Sequence, residues 1–362
     1  MTASPLGTFT VPPNLSADAP PEARGVPRDG VRLLVARTGR PLRHTTFASL
    51  PSALHRGDLV VVNTSDTEPA AVDGRRGDGR PVVLHVSGPT RDGGEWIVEL
   101  RTPDGGRVSD GATGESLRLP GGVTAFLLAA HPDPHTRTGS RLWRARIPVA
   151  GGLSNWLAAF GRPIAYSYLR GPRRLADYRT AFARREGHGF ASAEMPSAAR
   201  PFTPSVLRAL HERGIGVAAL TLHTGVASLE AGEEPLPERY AVPEATAAVV
   251  NATRAAGGRI VAVGTTVTRA LETVACQDGT VRVGAGWTDL VLGPQRPAWV
   301  VDGLVTGWHE PQASHLLLLE AVAGPDLVRR AYAAALHRGY LWHEFGDSCL
   351  LLSGGPAARR HR

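Results

Sequence analysis

A glycine-threonine-threonine turn stands where an apolar run gives way to a helical pattern. In the stretch AVGTTVTRALE, Gly264 ends the apolar run and Thr265 or Thr266 opens the helix. The first N–H groups of a helix and the positive end of its dipole favour an anion such as a carboxylate or a phosphate. Arg269 and Glu272, three residues apart, share one face of this helix. The turn predicts either an anion site or, on spacing alone, an ordinary capped helix with a surface ion pair.

Two histidines follow apolar runs at positions where an enzyme needs a general base. His223 closes the run LTLH, and His309 follows the run VVDGLVTGW. The ordinary pKa of histidine, about 6.5, lies close to the working pH of an enzyme, so either imidazole can accept a proton during catalysis. A single histidine at such a place is more often structural, and two at corresponding strand ends are better evidence for a catalytic role than one.

Two aspartates lie in or beside predicted strands. Asp302 falls inside the run AWVVDGLVT, which predicts one continuous strand, and Asp347 stands just before the strand SCLLL. A buried carboxylate needs hydrogen-bond donors. For Asp302 a ribose diol or a backbone turn would supply them, and the sequence leaves both alternatives open.

The sequence contains no recognisable hydrolase triad or metal site. Cys276 and Cys349 are far apart, which excludes a disulfide framework and a cysteine zinc site. The histidines considered as metal ligands lack zinc spacing: His211, His223, His309, His315, His337 and His343. The residues alone therefore predict an α/β enzyme for an anionic or nucleotide-like ligand, with no metal and no tightly bound cofactor.

The charge of the chain favours an anionic partner. The 362 residues include 40 basic and 33 acidic side chains, a formal net charge of +7, and every basic residue is arginine. Arginine forks onto phosphates, which suggests RNA, and a basic surface that is merely solvated is the alternative. No apolar run approaches the roughly 18 residues of a membrane span, and no secretory signal is apparent. We expect a cytoplasmic enzyme, monomeric by default.

The elements that must position these residues alternate between strand and helix. Short β-branched runs at 31–36 and 57–63 come first. A glycine-rich stretch of short alternating runs separated by turns follows, which is typical of a small antiparallel barrel. Helical and apolar runs then alternate to the C-terminus, which predicts a mostly parallel layered α/β domain. We predict a discontinuous α/β catalytic domain, 1–64 and 150–362, with an inserted β-barrel domain, 65–149.

Six stretches, spread in order over nearly the whole chain, form a set of motifs that is specific in combination. They are GDLVVVNTSDTEPAAV, YRTAFARREG, PFTPSVLRALHERGIGVAALTLHTGVASL, AVGTTVTRALE, VVDGLVTGWHEPQASHLLLLEAVAG and AYAAALHRGYLWHEFGDSCLLL. Taken together, they resemble the S-adenosylmethionine:tRNA ribosyltransferase-isomerase family of the queuosine pathway. The resemblance also implies an α/β domain with an inserted β-barrel.

The resemblance implies a reaction and its substrates. The ribosyl unit of S-adenosylmethionine, the co-substrate, moves onto 7-aminomethyl-7-deazaguanine at the wobble position of a tRNA, the partner. The ring is isomerised to an epoxycyclopentane, which gives epoxyqueuosine, and adenine and methionine leave. His223 or His309 would then remove the proton beside the sulfonium. The turn and Arg269 would bind the methionine carboxylate, and an acidic residue the ribose hydroxyls, so that the implied substrate-binding residues are Gly264, Thr265, Thr266, Arg269, Glu272, Asp302 and Asp347.

The chain departs from the family pattern in the half expected to bind the acceptor. Asp66 and Ala71 replace arginines, Ala199, Arg200 and Pro201 replace a Gly-Leu-His run, and Leu236 replaces a histidine, while Glu238 is kept. Two alternatives to the family reaction therefore stay open. One is a divergent paralogue that uses S-adenosylmethionine with a different, small-molecule acceptor, and the other is a non-catalytic RNA-binding protein.

Overall fold

The computed structural model describes residues 9–133, 135, 139–185, 189–226, 235–311 and 315–354. Within these ranges a nine-stranded sheet flanked by helices carries a closed six-stranded antiparallel barrel, so the predicted fold class is confirmed. The strands are β1 (Arg32–Arg37), β2 (Arg43–Thr46), β3 (Leu59–Asn63), β4 (Ala71–Arg76), β5 (Pro81–Pro89), β6 (Trp96–Arg101), β7 (Ser116–Arg118), β8 (Thr124–His131), β9 (Leu142–Arg146), β10 (Gly216–His223), β11 (Glu238–Val242), β12 (Ile260–Val263), β13 (Gly284–Thr288), β14 (Gly303–Thr306) and β15 (Ser348–Leu352). The helices are α1 (Leu50–Ala53), α2 (Leu153–Phe160), α3 (Pro204–Glu212), α4 (Glu244–Ala255), α5 (Gly264–Thr273), α6 (His315–Ala323) and α7 (Pro325–His337).

The sheet has a parallel centre of four strands, which β11 joins antiparallel on one side and β15 on the other, and β15 in turn pairs in parallel with β1. Its strand order is β13-β11-β10-β3-β12-β14-β15-β1-β2. The four strands β10, β3, β12 and β14 run parallel to one another, and every residue of β3, β12 and β14 is buried. Burial on both faces explains why these strands are continuous apolar runs rather than alternating ones. Their carboxyl ends meet at one edge of the sheet, where open α/β sheets bind ligands.

The barrel is an insertion between β3 and α2. Its strands, β4 to β9, close in the order β4-β5-β6-β9-β8-β7 and lie inside the predicted range 65–149. The barrel has an apolar core of its own that includes Val72, Leu84, Val98, Leu127 and Trp143, all fully buried. This core explains the loss of helical periodicity in the sequence, because each short strand contributes alternate side chains to the barrel interior.

Helix starts follow their sequence signals. Thr203 caps α3, since its hydroxyl accepts a hydrogen bond from the Val206 amide at 3.3 Å, and Pro204 occupies the first helical position.

No helix in the described part of the chain is both long enough and apolar enough to cross a lipid bilayer.

The predicted strand over 298–306 is wrong in its first half. Strand β14 begins only at Gly303. The amides of Trp299, Val300 and Val301 donate to the Glu272 carboxylate on α5 at 2.7, 2.8 and 2.9 Å. Since these amides are bound by a side chain, they form no ladder with a neighbouring strand, although the segment is as apolar as a buried strand.

Candidate active site

A cavity of about 650 Å³ opens at the carboxyl ends of the parallel strands. We call it the main cavity. Residues that follow β10, β12 and β14 line it, among them Thr224, Gly264 and Gly307. The fold therefore places the cavity at the edge of the sheet where the sequence predicts a ligand.

The Gly-Thr-Thr turn forms part of the cavity wall. Gly264, Thr265 and Thr266 all line the main cavity. Gly264 has a φ of +89°, a conformation that favours glycine because it has no Cβ. The Thr266 hydroxyl accepts a hydrogen bond from the side-chain amide of Asn63, the buried last residue of β3, at 3.3 Å. This arrangement fits a ligand at the start of α5, and the identity of that ligand stays a prediction.

Arg269 lines the same cavity, and protein groups engage its guanidinium. Its Nη1 donates to the Glu238 carboxylate. Its Nε donates to the carbonyl of Leu290, and its Nη2 donates to the carbonyls of Leu236 and Thr288, all at 3.2–3.3 Å. The guanidinium therefore fixes Glu238 and two loops, which leaves little of it for the methionine carboxylate that the resemblance implies.

The kept carboxylate, Glu238, forms part of the same wall. It accepts the Gly225 amide at 3.3 Å besides the Arg269 guanidinium. Burial raises the pKa of Glu238 above its ordinary value, and the charge of Arg269 opposes that rise. Such opposed effects are typical of a carboxylate built into a binding site.

His309 lies in the main cavity beside a second histidine. Its Nε2 is 2.9 Å from the Thr306 hydroxyl, and its ring lies 4.6 Å from that of His315 between centroids. Burial holds the pKa of His309 well below its ordinary value and lowers the pKa of His315 to about 4. Both imidazoles are therefore neutral at pH 7. In the sequence, His315 is only one of several scattered histidines, and no pattern places it beside His309.

His223 lies in a different cavity. Its Nδ1 is 2.8 Å from the hydroxyl of Ser65, which is buried. Burial and the charge of Arg239 lower the pKa of His223 to about 4. The cavity that it lines, of about 290 Å³, lies between the barrel and the sheet, and we call it the side cavity. The two candidate bases are therefore not brought together.

Three residues form a wall common to the two cavities. Gly225, Leu236 and Glu238 line both of them. We call this the shared wall. It places the kept Glu238 and the substituted Leu236 at the boundary between the two candidate bases.

Three predicted ribose ligands instead bind backbone. Asp302 accepts the Ile260 amide at 3.0 Å. Asp347 accepts the Arg32 and Leu341 amides, each at 2.8 Å, and Glu272 accepts the three amides before β14. None of the three acids lines the main cavity. For Asp302, the backbone alternative is the one that the structure contains.

Sequence reasoning missed an aromatic and acidic part of the main cavity. Tyr166, Tyr168, Glu194, His343 and Glu344 all line it. The sequence signals for these residues are the two tyrosines separated by one residue, Tyr166 and Tyr168, and the polar pair His343 and Glu344 directly before Phe345. The backbone also distinguishes this part of the cavity. His343 has a φ of +72°. A positive φ is uncommon for residues other than glycine, and such residues cluster at functional sites.

Two departures from the family pattern form ion pairs within the protein. Asp66 accepts Nε and Nη2 of Arg179, each at 3.1 Å. Arg200, only 2% exposed, donates to the Glu22 carboxylate at 3.0 Å. Because each charge has a partner inside the chain, neither residue is simply a lost contact to a substrate.

Leu236 is the departure from the family pattern that lies in the walls of the cavities. Ala71 begins β4, and Pro201 is buried next to Arg200. Of the six substituted positions 66, 71, 199, 200, 201 and 236, only Leu236 lines the main or the side cavity. In the part of the chain that the structure describes, no three His, Cys, Asp or Glu side chains are grouped as a metal ion requires.

Comparison with known proteins decides the family. A family model described as "Queuosine biosynthesis protein" matches residues 7–351. The chain belongs to this family. It is 37% identical over 361 residues to the S-adenosylmethionine:tRNA ribosyltransferase-isomerase of Moorella thermoacetica, covering 95% of this chain and 98% of that protein. With the enzyme of the same name from Acidiphilium cryptum it shares 38% identity over 358 residues, 95% of this chain and 97% of the relative.

A solved structure supports the same assignment. The crystal structure of S-adenosylmethionine tRNA ribosyltransferase from Thermotoga maritima superposes on the chain with a TM-score of 0.53. The two share 28% sequence identity, and the match covers 96% of this chain and 100% of the other. The likeness therefore includes both the sheet and the inserted barrel.

Proposed function

We propose that the protein transfers and isomerises the ribosyl moiety of S-adenosylmethionine onto 7-aminomethyl-7-deazaguanine in tRNA. The products are epoxyqueuosine in the tRNA, adenine and methionine. The observation that carries the proposal is the match over nearly the full length to relatives of that name. The main cavity supports it, because the family motifs around Gly264 and His309 meet there.

S-adenosylmethionine would occupy the main cavity. The amides at the start of α5, around Thr265 and Thr266, suit the methionine carboxylate. The reaction needs a base, because the sulfonium acidifies the adjacent carbon. A neutral His309 would take that proton, leaving the electron pair on the carbon beside sulfur and the positive charge on the imidazole. The Thr306 hydroxyl orients the ring for this transfer.

The tRNA would approach along the side cavity. Arg91, Arg144, Arg239 and Trp287 line it. Guanidinium groups suit phosphates and an indole suits a stacked base. The shared wall then lies between the bound strand and the main cavity, so a flipped base has a short path to S-adenosylmethionine.

The test measures adenine and methionine release from S-adenosylmethionine. The reaction is run with tRNA carrying 7-aminomethyl-7-deazaguanine, with the same tRNA carrying guanine there, and without RNA. Release that depends on the aminomethyl base supports the proposal, and we expect His309→Ala to abolish it. Activity retained in His309→Ala would remove His309 from the mechanism.

A second candidate is transfer to a different, small-molecule acceptor. The observation that favours it is Leu236, which stands in the shared wall where the family has a histidine. Release without tRNA, or only with another acceptor, would establish it. Binding of tRNA without any release would instead indicate the non-catalytic alternative.

A further inference from the structure

Three stacked rings form one wall of the main cavity. The Tyr166 and Tyr168 rings lie 5.9 Å apart at 21°, and Tyr168 and His343 lie 4.0 Å apart at 11°. Each tyrosine ends on a carboxylate, because Tyr166 donates its hydroxyl to Glu194 and Tyr168 donates to Glu344. Electron-rich rings therefore lie directly beside half-buried carboxylates.

The charges around the main cavity are predominantly negative. Its described lining contains one guanidinium, Arg269, and four carboxylates, Glu194, Glu238, Glu310 and Glu344. Arg269 is bound to Glu238. Burial raises the pKa of Glu344, so its ionised form gains from a cation brought into the cavity. This electrostatic field disfavours an anion at this wall and favours a cation.

A third tyrosine indicates independently that a ligand completes the wall. Tyr178 is 4% exposed and lines the main cavity, and its hydroxyl has no hydrogen-bond partner among the described residues. The indole N–H of Trp308, a residue that is 2% exposed and also lines the cavity, is in the same state. Buried polar groups in proteins are rarely left without a partner unless a ligand or water provides one.

We propose that this wall binds the positively charged centre of a substrate. We call it the onium wall and define it as Tyr166, Tyr168, Tyr178, Glu194 and Glu344. Ring faces and carboxylates together recognise a sulfonium or an ammonium group. The inference rests on the proposed function, because both substrates carry such a centre: the sulfonium of S-adenosylmethionine and the aminomethyl ammonium of the acceptor base.

The first experiment compares a charged and a neutral form of one substrate. Calorimetry measures the Kd of S-adenosylmethionine and of its neutral sulfide, S-adenosylhomocysteine, for the native protein and for Glu344→Gln. If the sulfonium is the bound centre, Glu344→Gln weakens S-adenosylmethionine about tenfold and changes the sulfide less than about twofold. The matched control is Glu212→Gln, an exposed carboxylate on α3 that does not line the main cavity, which should leave the ratio of the two Kd values unchanged.

The second experiment makes the same comparison on the acceptor. The free base 7-aminomethyl-7-deazaguanine is compared with 7-methyl-7-deazaguanine, which lacks the ammonium. If Glu344→Gln selectively weakens binding of the aminomethyl base and leaves the Kd of S-adenosylmethionine unchanged, the wall binds the acceptor. If Glu344→Gln does not fold, Glu194→Gln removes the neighbouring charge and should act in the same direction.

The outcomes separate this inference from the proposed function. A native protein that turns over S-adenosylmethionine, while neither variant changes either charged-to-neutral ratio, overturns the onium wall and leaves the function intact. An equal loss in Glu212→Gln also overturns it, because the effect would then not depend on the wall. A native protein that binds neither substrate overturns both.

Discussion

At the scale of single residues, Arg269 shows how one side chain serves the site by holding another. Its guanidinium donates to Glu238 and to three carbonyls. A planar fork with several donors can make all these bonds at once, which a lysine cannot. The arginine in the motif AVGTTVTRALE is therefore explained by the shared wall, with or without a contact to substrate.

Removing that guanidinium should leave a buried carboxylate without its cation. We expect Arg269→Met to lower the free energy of unfolding by about 3–5 kcal/mol, measured by urea denaturation. The double variant Arg269→Met with Glu238→Gln should recover most of the loss, because no uncompensated charge remains. An Arg269→Met protein as stable as the native one would contradict the burial of this pair.

His223 should make stability depend on pH in a defined window. Its pKa is about 4 in the folded protein and about 6.5 when unfolded. Between these values only the unfolded chain binds the proton, so stability falls as the pH decreases from about 6.5 to about 4, by up to about 1.4 kcal/mol per pH unit. Above pH 6.5 the residue has no effect of this kind.

The check is the difference between the native protein and His223→Gln at two pH values. Lowering the pH from 7 to 5 should cost the native protein about 2 kcal/mol more than the variant, since glutamine binds no proton. Equal losses would show that His223 is charged in the folded protein. His309, His315 and His343 are present in both proteins, so their contributions cancel.

At the scale of elements, helix α5 connects three parts of the molecule. Its first residue, Gly264, forms the turn at the main cavity, Arg269 reaches the shared wall, and Glu272 holds the segment before β14. A helix that begins directly after a buried parallel strand is fixed at its start, so all three residues are placed by one short connection.

Glu272 is expected to matter for stability and not for substrate binding. Glu272→Leu removes the acceptor of three amides and should cost about 3 kcal/mol or more of unfolding free energy, since each buried donor that loses its acceptor costs about 1–3 kcal/mol. The Kd of S-adenosylmethionine for the folded variant should stay within about twofold of the native value. Glu212→Leu, an exposed change on α3, is the control for losing one acid.

If Glu272→Leu instead raised the Kd of S-adenosylmethionine strongly and left stability at the native value, Glu272 would belong to the substrate site. Unfolding curves and binding isotherms on the same preparation distinguish the two outcomes.

Local patterns predict much of the fold because they are enforced locally. The strand β12 and helix α5 follow from an apolar run, a glycine and helical spacing. The start of α3 follows from the pair Thr203 and Pro204, a capping residue and a proline at the first helical position. The late start of β14 could not be predicted, because it depends on a carboxylate 27 residues away from Trp299. The site divides in the same way: the Gly264 turn was predictable, whereas the stack of Tyr168 on His343 joins distant segments.

At the scale of the whole molecule, the barrel and the sheet enclose the side cavity between them. Three arginines line this cavity, Arg91, Arg144 and Arg239, in a chain whose formal net charge is +7, while the described lining of the main cavity is rich in carboxylates. This separation suits a polyanion outside and a cationic group inside.

RNA binding should therefore depend strongly on salt. We expect the logarithm of the tRNA association constant to fall linearly with the logarithm of salt concentration, and Arg239→Ala to reduce the slope by about one. Filter binding between low and moderate salt measures it. Arg213→Ala, an exposed arginine at the end of α3, should leave the slope unchanged, and a flat salt response in the native protein would exclude a phosphate contact.

The shared wall has a thermodynamic consequence. Because Gly225, Leu236 and Glu238 belong to both cavities, a ligand that shifts them in one cavity changes the free energy of binding in the other. Linkage requires the effect to be reciprocal: the factor by which tRNA tightens S-adenosylmethionine equals the factor by which S-adenosylmethionine tightens tRNA. A wall of three residues would then set how strongly each substrate favours the binding of the other, and Leu236 would be where that cooperativity is tuned.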